Sequence, residues 1–409
     1  MPTAEDLALI RNVVDAAASS VGPVERAEIL PAEAYVSETF FAFEKSTIFT
    51  REWLCVGHVN EVPKPGDHVP LTILGEPIIL ARDEAGDVRV LSAICQHRGH
   101  PLFAGLGAAP DGVCRNGRAL VCPYHNWAYR LDGGLIGAPG MQETTPVARL
   151  RERIRLPALR VEIWHGLVFI NFDADAEPLA PRLTKLSAMV ANYHIEALRP
   201  AHTLLLPALP WNWKLHHENA LEPYHTDYVH KGYHDAVPSR LTDFYEFGPD
   251  DTAVFRTTGF RSAGADLFEQ GGSRLPEIEG LTDEQRGRAV FVSLMPNFFA
   301  VVQPSSVSMT IIDPVSAGVM NARRLSLYPA AAIEDPAFRR ITTEQFETNK
   351  ILVEQDTVTV TALQQAYQSR FTPRGTLSWL EAGLPQLNGW LVERYRRGLE
   401  RLGCATVGS

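Results

Sequence analysis

Two stretches of the chain hold metal-binding residue types at informative spacings. The first is Cys95-Gln96-His97, followed after residues 98–121 by Cys122-Pro123-Tyr124-His125. Each half offers one thiolate and one imidazole, so together they make a Cys₂His₂ set. That composition suits zinc. A zinc finger of this composition usually pairs like ligands, two cysteines in one loop and two histidines in the other. Here each loop mixes the two. That suits a [2Fe–2S] cluster with two cysteines on one iron and two histidines on the other, the histidines raising its reduction potential.

The second stretch runs Asn212-Trp213-Lys214-Leu215-His216-His217-Glu218-Asn219-Ala220-Leu221-Glu222-Pro223-Tyr224-His225, with His230 five positions on. Two histidines and one carboxylate on one face of an iron leave positions open for O₂ and substrate. On a regular helix His225 and His230 stand ~140° apart, so the helix must end or bulge between them. Taken alone, such a pair is more often two surface or packed histidines. His216 and His217 either line an entrance or simply pack, and His100, His165 and His234 carry no motif.

The elements that must position these residues are of two kinds. Residues 52–163 read as short apolar runs between Gly, Pro and Asp turns, for example 68–74, 77–81 and Val88–Ser92. These are strand signals at regular intervals and predict a small all-β metal domain. Residues 1–51 predict an N-terminal helical segment packed on the catalytic domain, with helices at the start and near 38–49. Residues 164–409 predict that catalytic domain. Its strand-like runs lie at 167–172, 253–260, 290–302, 307–312 and 324–327, with a long helix over 336–368 and a shorter one near 387–402. The fold class is therefore α+β, a small all-β domain followed by an antiparallel sheet gripped by a long C-terminal helix.

The net charge of −10 argues against non-specific nucleic-acid binding, which needs a basic footprint. The N-terminus has no basic start and apolar run of a signal peptide, and the apolar stretch 289–302 is too short and too interrupted to span a bilayer. A cytoplasmic protein with no membrane partner is expected. The cysteines Cys55, Cys114 and Cys404 read as ordinary free thiols, since an odd, widely spaced set is no disulfide framework.

Cys-x-His-Arg-Gly followed by Cys-Pro-Tyr-His-x-Trp resembles the Rieske motif of ring-hydroxylating and N-demethylating non-haem iron oxygenases. Asn-Trp-Lys, Glu-Asn and acidic-x-Tyr-His-x₄-His resemble the second signature of the same family, and the motifs cover about residues 35–370. The gap between the halves is longer than usual, with an insertion over 108–116, and Asn126 stands where the family commonly has Gly. The resemblance implies a [2Fe–2S] cluster on Cys95, His97, Cys122 and His125, and Fe(II) on His225, His230 and a carboxylate of the long helix. Asp356 is the choice for that carboxylate, with Glu354 as fallback. Glu222 and Asn219 fall at catalytic positions, and Glu222 links His225 to a Rieske histidine of a neighbouring subunit or simply orients His225.

The resemblance further implies a homotrimer, a separate NAD(P)H-dependent reductase, sometimes with a ferredoxin, and a small organic substrate oxidised with O₂ by hydroxylation or oxidative demethylation. Glu rather than Asp at 222 resembles the branch acting on quaternary ammonium compounds. A cage from Phe244, Tyr245, Phe298 and Phe299 would bind such a cation through ring faces. An aromatic acid or neutral arene would use the same apolar wall. A Rieske electron carrier would need only the first site, and a zinc-dependent binding module would have no redox centre.

Overall fold

The computed structural model describes residues 2–103, 114–230, 236–262, 267 and 275–407. Most of the insertion expected at 108–116, His234 and the side chain of Cys404 lie outside the described residues. The chain divides into two compact units, Glu52–Glu177 on one hand and Met1–Arg51 with Pro178–Ser409 on the other. Among the described residues no helix is long and apolar enough to cross a membrane.

The Glu52–Glu177 unit is made of short antiparallel strands. Leu54–His58, Leu167–Asn171 and Arg160–Trp164 form one sheet. Val88–Ser92, Glu76–Arg82, Asp67–Ile73 and Arg115–Asn116 form a second, and Leu120–Val121, Ala128–Tyr129 and Leu135–Gly137 a third. The break lies at 177/178 rather than 163/164. Strand Leu167–Asn171 pairs with both Arg160–Trp164 and Leu54–His58. A fully buried strand reads as a bare apolar run, and composition does not say which sheet it joins.

The other unit carries a seven-stranded antiparallel sheet. Its order is Arg199–Leu209, Val319–Tyr328, Val307–Ser316, Phe298–Val302, Arg288–Leu294, Ala253–Gly259, Thr242–Phe244. The run 290–302 resolves into two paired strands, with Phe299 opposite Ser293. Strand Arg199–Leu209 has no counterpart in the sequence reading. It contains Pro200 and Pro207, which deny a strand reading in a sheet interior but are tolerated at an edge, where this strand lies.

The long helix runs Phe338–Ala366. Phe338 packs at its start against Tyr328 of the sheet, ring centroids 5.1 Å apart. Asn349, Leu352, Val353, Asp356, Thr357 and Val360 recur at helical spacing and share a face, which walls a cavity also lined by sheet residues.

A buried polar knot ties helix Trp213–Leu221 to the rest. Asn212 caps it, the side-chain oxygen accepting from Lys214 N at 3.0 Å. Asn212 Nδ2 donates to the Ala317 and Tyr35 carbonyls, and Asn212 N donates to Gln364 Oε1 of the long helix at 2.9 Å. Lys214 Nζ meets Glu44 Oε1 at 2.8 Å, with side-chain exposures of 1% and 0%. Trp213 Nε1 and the Tyr395 hydroxyl also donate to Glu44. Burial lowers the Lys214 pKa, and the Glu44 carboxylate opposes that shift.

Removing one partner of such a pair strands a charge in the interior. Lys214→Met should therefore cost about 3–5 kcal/mol of stability. The double variant Lys214→Met/Glu44→Leu should recover most of that loss. Urea unfolding of the catalytic unit measures both, and a single-variant cost under about 1 kcal/mol would contradict the assignment.

Candidate metal centres

The two cysteine–histidine loops are built alike. Gly99 N donates to Cys95 O at 3.0 Å, and Asn126 N donates to Cys122 O at 3.0 Å. Each loop turns through a left-handed residue four positions after its cysteine, Gly99 at φ 75° and Asn126 at φ 54°. Asn tolerates that region better than other side chains, so it serves where Gly is usual. Cys95 and Cys122 are buried, whereas His97 and His125 are partly exposed, ring centroids 4.8 Å apart. Trp127 stacks on His97 at 4.6 Å and 6°. The Tyr129 hydroxyl lies 3.3 Å from Cys95 Sγ and accepts from Gln96 N at 3.0 Å.

These residues fit a two-iron cluster better than one zinc. Ligand atoms around a single tetrahedral zinc lie about 3.3–3.8 Å apart, as Zn–N and Zn–S distances of about 2.0 and 2.3 Å require. Among the described residues the group of three or more ligand atoms within 4.8 Å of one another is His225, His230 and Asp356; the Cys95/His97/Cys122/His125 set is not so compact. His97 Nδ1 is also buried without a hydrogen-bond partner, as befits a nitrogen kept for a metal.

His225 and His230 bracket one helical turn, Thr226–Val229, which ends the helix between them. His230 Nε2 lies 3.1 Å and His225 Nε2 3.5 Å from Asp356 Oδ1. Burial raises the Asp356 pKa, but His230, His225 and an Asn219 hydrogen bond outweigh it and hold the carboxyl low. Burial lowers the His230 pKa, and Asp356 outweighs it in the upward direction. A metal must displace that histidine proton, so its affinity rises with pH.

The outward nitrogens are taken. His225 Nδ1 bonds Glu222 Oε1, and Glu222 Oε2 accepts from Tyr224 N and His225 N. His230 Nδ1 lies 2.9 Å from Gln355 Oε1. Both bonds leave Nε2 for a metal. Arg256 donates to the Leu221 carbonyl and lies 3.8 Å over the Phe291 ring, steadying the helix end before Glu222.

The expected residues are thus gathered, with exceptions. Glu354 sits exposed near Lys350, at 4.0 Å, and takes no part. His217 is packed, its ring nitrogens 3.1 Å from Ser293 Oγ and 3.0 Å from Pro296 O. Burial pushes its pKa down to about 4. His216 lines the cavity. The aromatic cage is not assembled: of its four members only Phe299 lines the cavity. Phe298 is its neighbour on the strand and so faces the other way. Phe244 lies on the edge strand, and Tyr245 packs on Phe255 at 5.0 Å. Gln355, Arg256, Trp211 and Arg324 were missed. They carry no spacing signal, and only the fold brings them to the site.

The cavity has about 180 Å³ of space. Its wall is mostly apolar, including Leu206, Val237, Leu267, Val301 and Leu352, with the three candidate ligands on it. Such a place suits a small, largely apolar ligand beside a metal. Gln355→Leu should weaken metal binding at His225/His230/Asp356 by roughly 10- to 100-fold, as other outer partners of ligating histidines do. Gln355→Glu, which keeps an acceptor, should restore it. Titration of the metal-stripped protein with Fe(II) under argon decides; equal affinities would refute the role.

Residues 52–155 match the family described as Rieske [2Fe-2S] domain, and residues 187–397 match Ring hydroxylating alpha subunit (catalytic domain). The carnitine monooxygenase oxygenase subunit of Escherichia coli (strain K12) is 34% identical over 218 residues, 52% of this chain and 55% of that protein. Biphenyl 2,3-dioxygenase subunit alpha of Rhodococcus jostii (strain RHA1) is 32% identical over 213 residues, 51% of this chain and 43% of that one. The chain thus spans about half the length of the curated relatives it matches. Two solved structures share the fold. The quaternary ammonium Rieske monooxygenase CntA has TM-score 0.75 at 22% identity, over 93% of this chain and 98% of that one. Naphthalene 1,2-dioxygenase from Rhodococcus sp. has TM-score 0.75 at 18% identity, over 98% and 99%. With the family's catalytic domain matching over half of its length and a Rieske [2Fe–2S] domain before it, this chain belongs to the ring-hydroxylating alpha subunits of the Rieske non-haem iron oxygenases.

Proposed function

We propose that the chain is a terminal oxygenase component, taking electrons from a separate NAD(P)H-dependent reductase or its ferredoxin to oxidise a small organic substrate with O₂. The observation that carries this is the convergence of His225, His230 and Asp356 at a mostly apolar cavity, in a chain that also holds a Rieske domain. A pure electron carrier would have no use for the cavity. Iron held by the three residues supplies O₂ activation when bound. The chain's own residues do the rest. Glu222 and Gln355 fix the imidazole tautomers, and Asn219 holds Asp356 in place. The apolar wall keeps bulk water from the reacting carbon.

We take Glu222 to serve a second purpose, linking His225 to a Rieske histidine of a neighbouring subunit in a homotrimer. Tyr224 and Tyr228 beside it are exposed, at 43% and 69%, which gives a neighbour something to cover. Inter-subunit electron transfer is the subject of work on the quaternary ammonium monooxygenase structure. We place the protein in the cytoplasm.

For the substrate, hydroxylation or oxidative demethylation of a quaternary ammonium compound is favoured by the 34% identity to the carnitine monooxygenase subunit, and CntA structures hold L-carnitine and gamma-butyrobetaine. Aromatic ring oxidation is the second reading, favoured by the biphenyl and naphthalene dioxygenase relatives.

His225→Ala should abolish substrate-dependent O₂ uptake while the visible spectrum of the Rieske cluster stays as it was; unchanged turnover would defeat the oxygenase reading. Light scattering of the pure protein should return about three times the mass of the chain. A fully active monomer would end the inter-subunit route.

A further inference from the structure

The cavity holds a cation that the metal site does not use. Arg324 lies on strand Val319–Tyr328, opposite Leu204 on one side and Thr310 on the other. Thr310 in turn pairs with Phe299. Arg324, Thr310 and Phe299 therefore make one rung across the sheet, and all three line the cavity. Arg324 is only partly buried, and it lines the cavity. Its Nε has Thr310 Oγ1 at 3.4 Å, a weak contact. No carboxylate of a described residue stands within ion-pair distance of it. Asp356 influences its charge from further off. Arginine keeps its proton, so this is a standing charge in low-dielectric surroundings, costly until an anion meets it.

The neighbours share that imbalance. Trp211 and His216 line the same cavity, and each has a buried ring nitrogen with no hydrogen-bond partner. Indole N–H only donates. Burial, with His217 and Arg324 adding to it, pushes the His216 pKa down to about 3, so that imidazole is neutral and adds no second cation to the cavity. The carboxylates near the cavity are already engaged, Asp356 and Glu222 with the histidines. On this wall the Arg324 guanidinium and the Trp211 indole are donors left over.

Resting on the oxygenase reading above, we propose that the substrate carries a carboxylate that docks on Arg324, with its oxidisable carbon turned toward His225, His230 and Asp356. Betaines and aromatic acids both meet this description. Neutral arenes do not.

Calorimetric binding to the anaerobic holoenzyme tests it, with gamma-butyrobetaine and 4-phenylbutyrate, each against its methyl ester. At least one acid should bind roughly 10- to 100-fold tighter than its ester, the loss expected when a charged hydrogen bond is removed. Arg324→Gln should erase that preference, and Arg324→Lys should keep part of it. Which acid binds separates a betaine from an aromatic acid. Acids that bind no better than esters, acids that do not bind, or a preference that survives Arg324→Gln would each overturn the proposal. Should the Gln variant fail to fold, as its cluster absorption and melting would reveal, the wild-type comparison and the Lys variant still decide. O₂ uptake separates the two readings. Uptake driven only by neutral arenes keeps the oxygenase and rejects the Arg324 site. Tight acid binding with no uptake keeps the site and rejects the oxygenase.

Discussion

The catalytic unit depends on a buried polar knot in which every partner is needed by another. Lys214 is tolerable in the interior because Glu44 meets it, and Glu44 because Lys214, Trp213 and Tyr395 all donate to it. Asn212 joins the same place to the long helix through Gln364 and to the N-terminal segment through Tyr35. These contacts fix the rotation of helix Trp213–Leu221. The segment that leaves it holds Glu222, His225 and His230. Metal ligands tolerate little positional error, so the cost of ordering so many polar groups is offset by the precision of the site.

The two metal centres solve opposite problems. An electron-storing centre wants shielded sulfurs and an exposed edge, and the loops supply buried cysteines beneath partly exposed histidines. A centre that admits O₂ and substrate wants a small number of ligands beside an apolar space. The long helix and the segment that follows Leu221 give three candidate ligands and leave the remaining surface to side chains such as Val301 and Leu352. Each of the two candidate histidines has its outward nitrogen fixed by a different group, a carboxylate for His225 and an amide for His230.

Charge in the cavity follows from the sheet. Side chains alternate between faces, so one rung brings Arg324, Thr310 and Phe299 to the same side. The same rule removes Phe298 from that side. The Arg324 guanidinium on this wall is the basis on which we propose a substrate that brings an acceptor.

The sequence by itself determined the candidate ligands and their chemical types. Cysteine and histidine at 95, 97, 122 and 125, and the histidines at 225 and 230, were legible because spacing within a loop or one turn is local information. The long helix was legible too, because no Gly or Pro interrupts residues 337–368. Asp356 rather than Glu354 was a choice among neighbours, and helix phase decides it: Asp356 shares a face with Leu352, Val353 and Val360 toward the cavity, and Glu354 points to solvent. Tertiary structure alone decided the edge strand Arg199–Leu209, the sheet that strand Leu167–Asn171 joins, and the meeting of Gln355 with His230. It also decided the failure of the four-aromatic cage and the presence of Arg324 on the cavity wall. All of these rest on which strands pair and which face they turn inward, and strand pairing joins residues far apart in the chain.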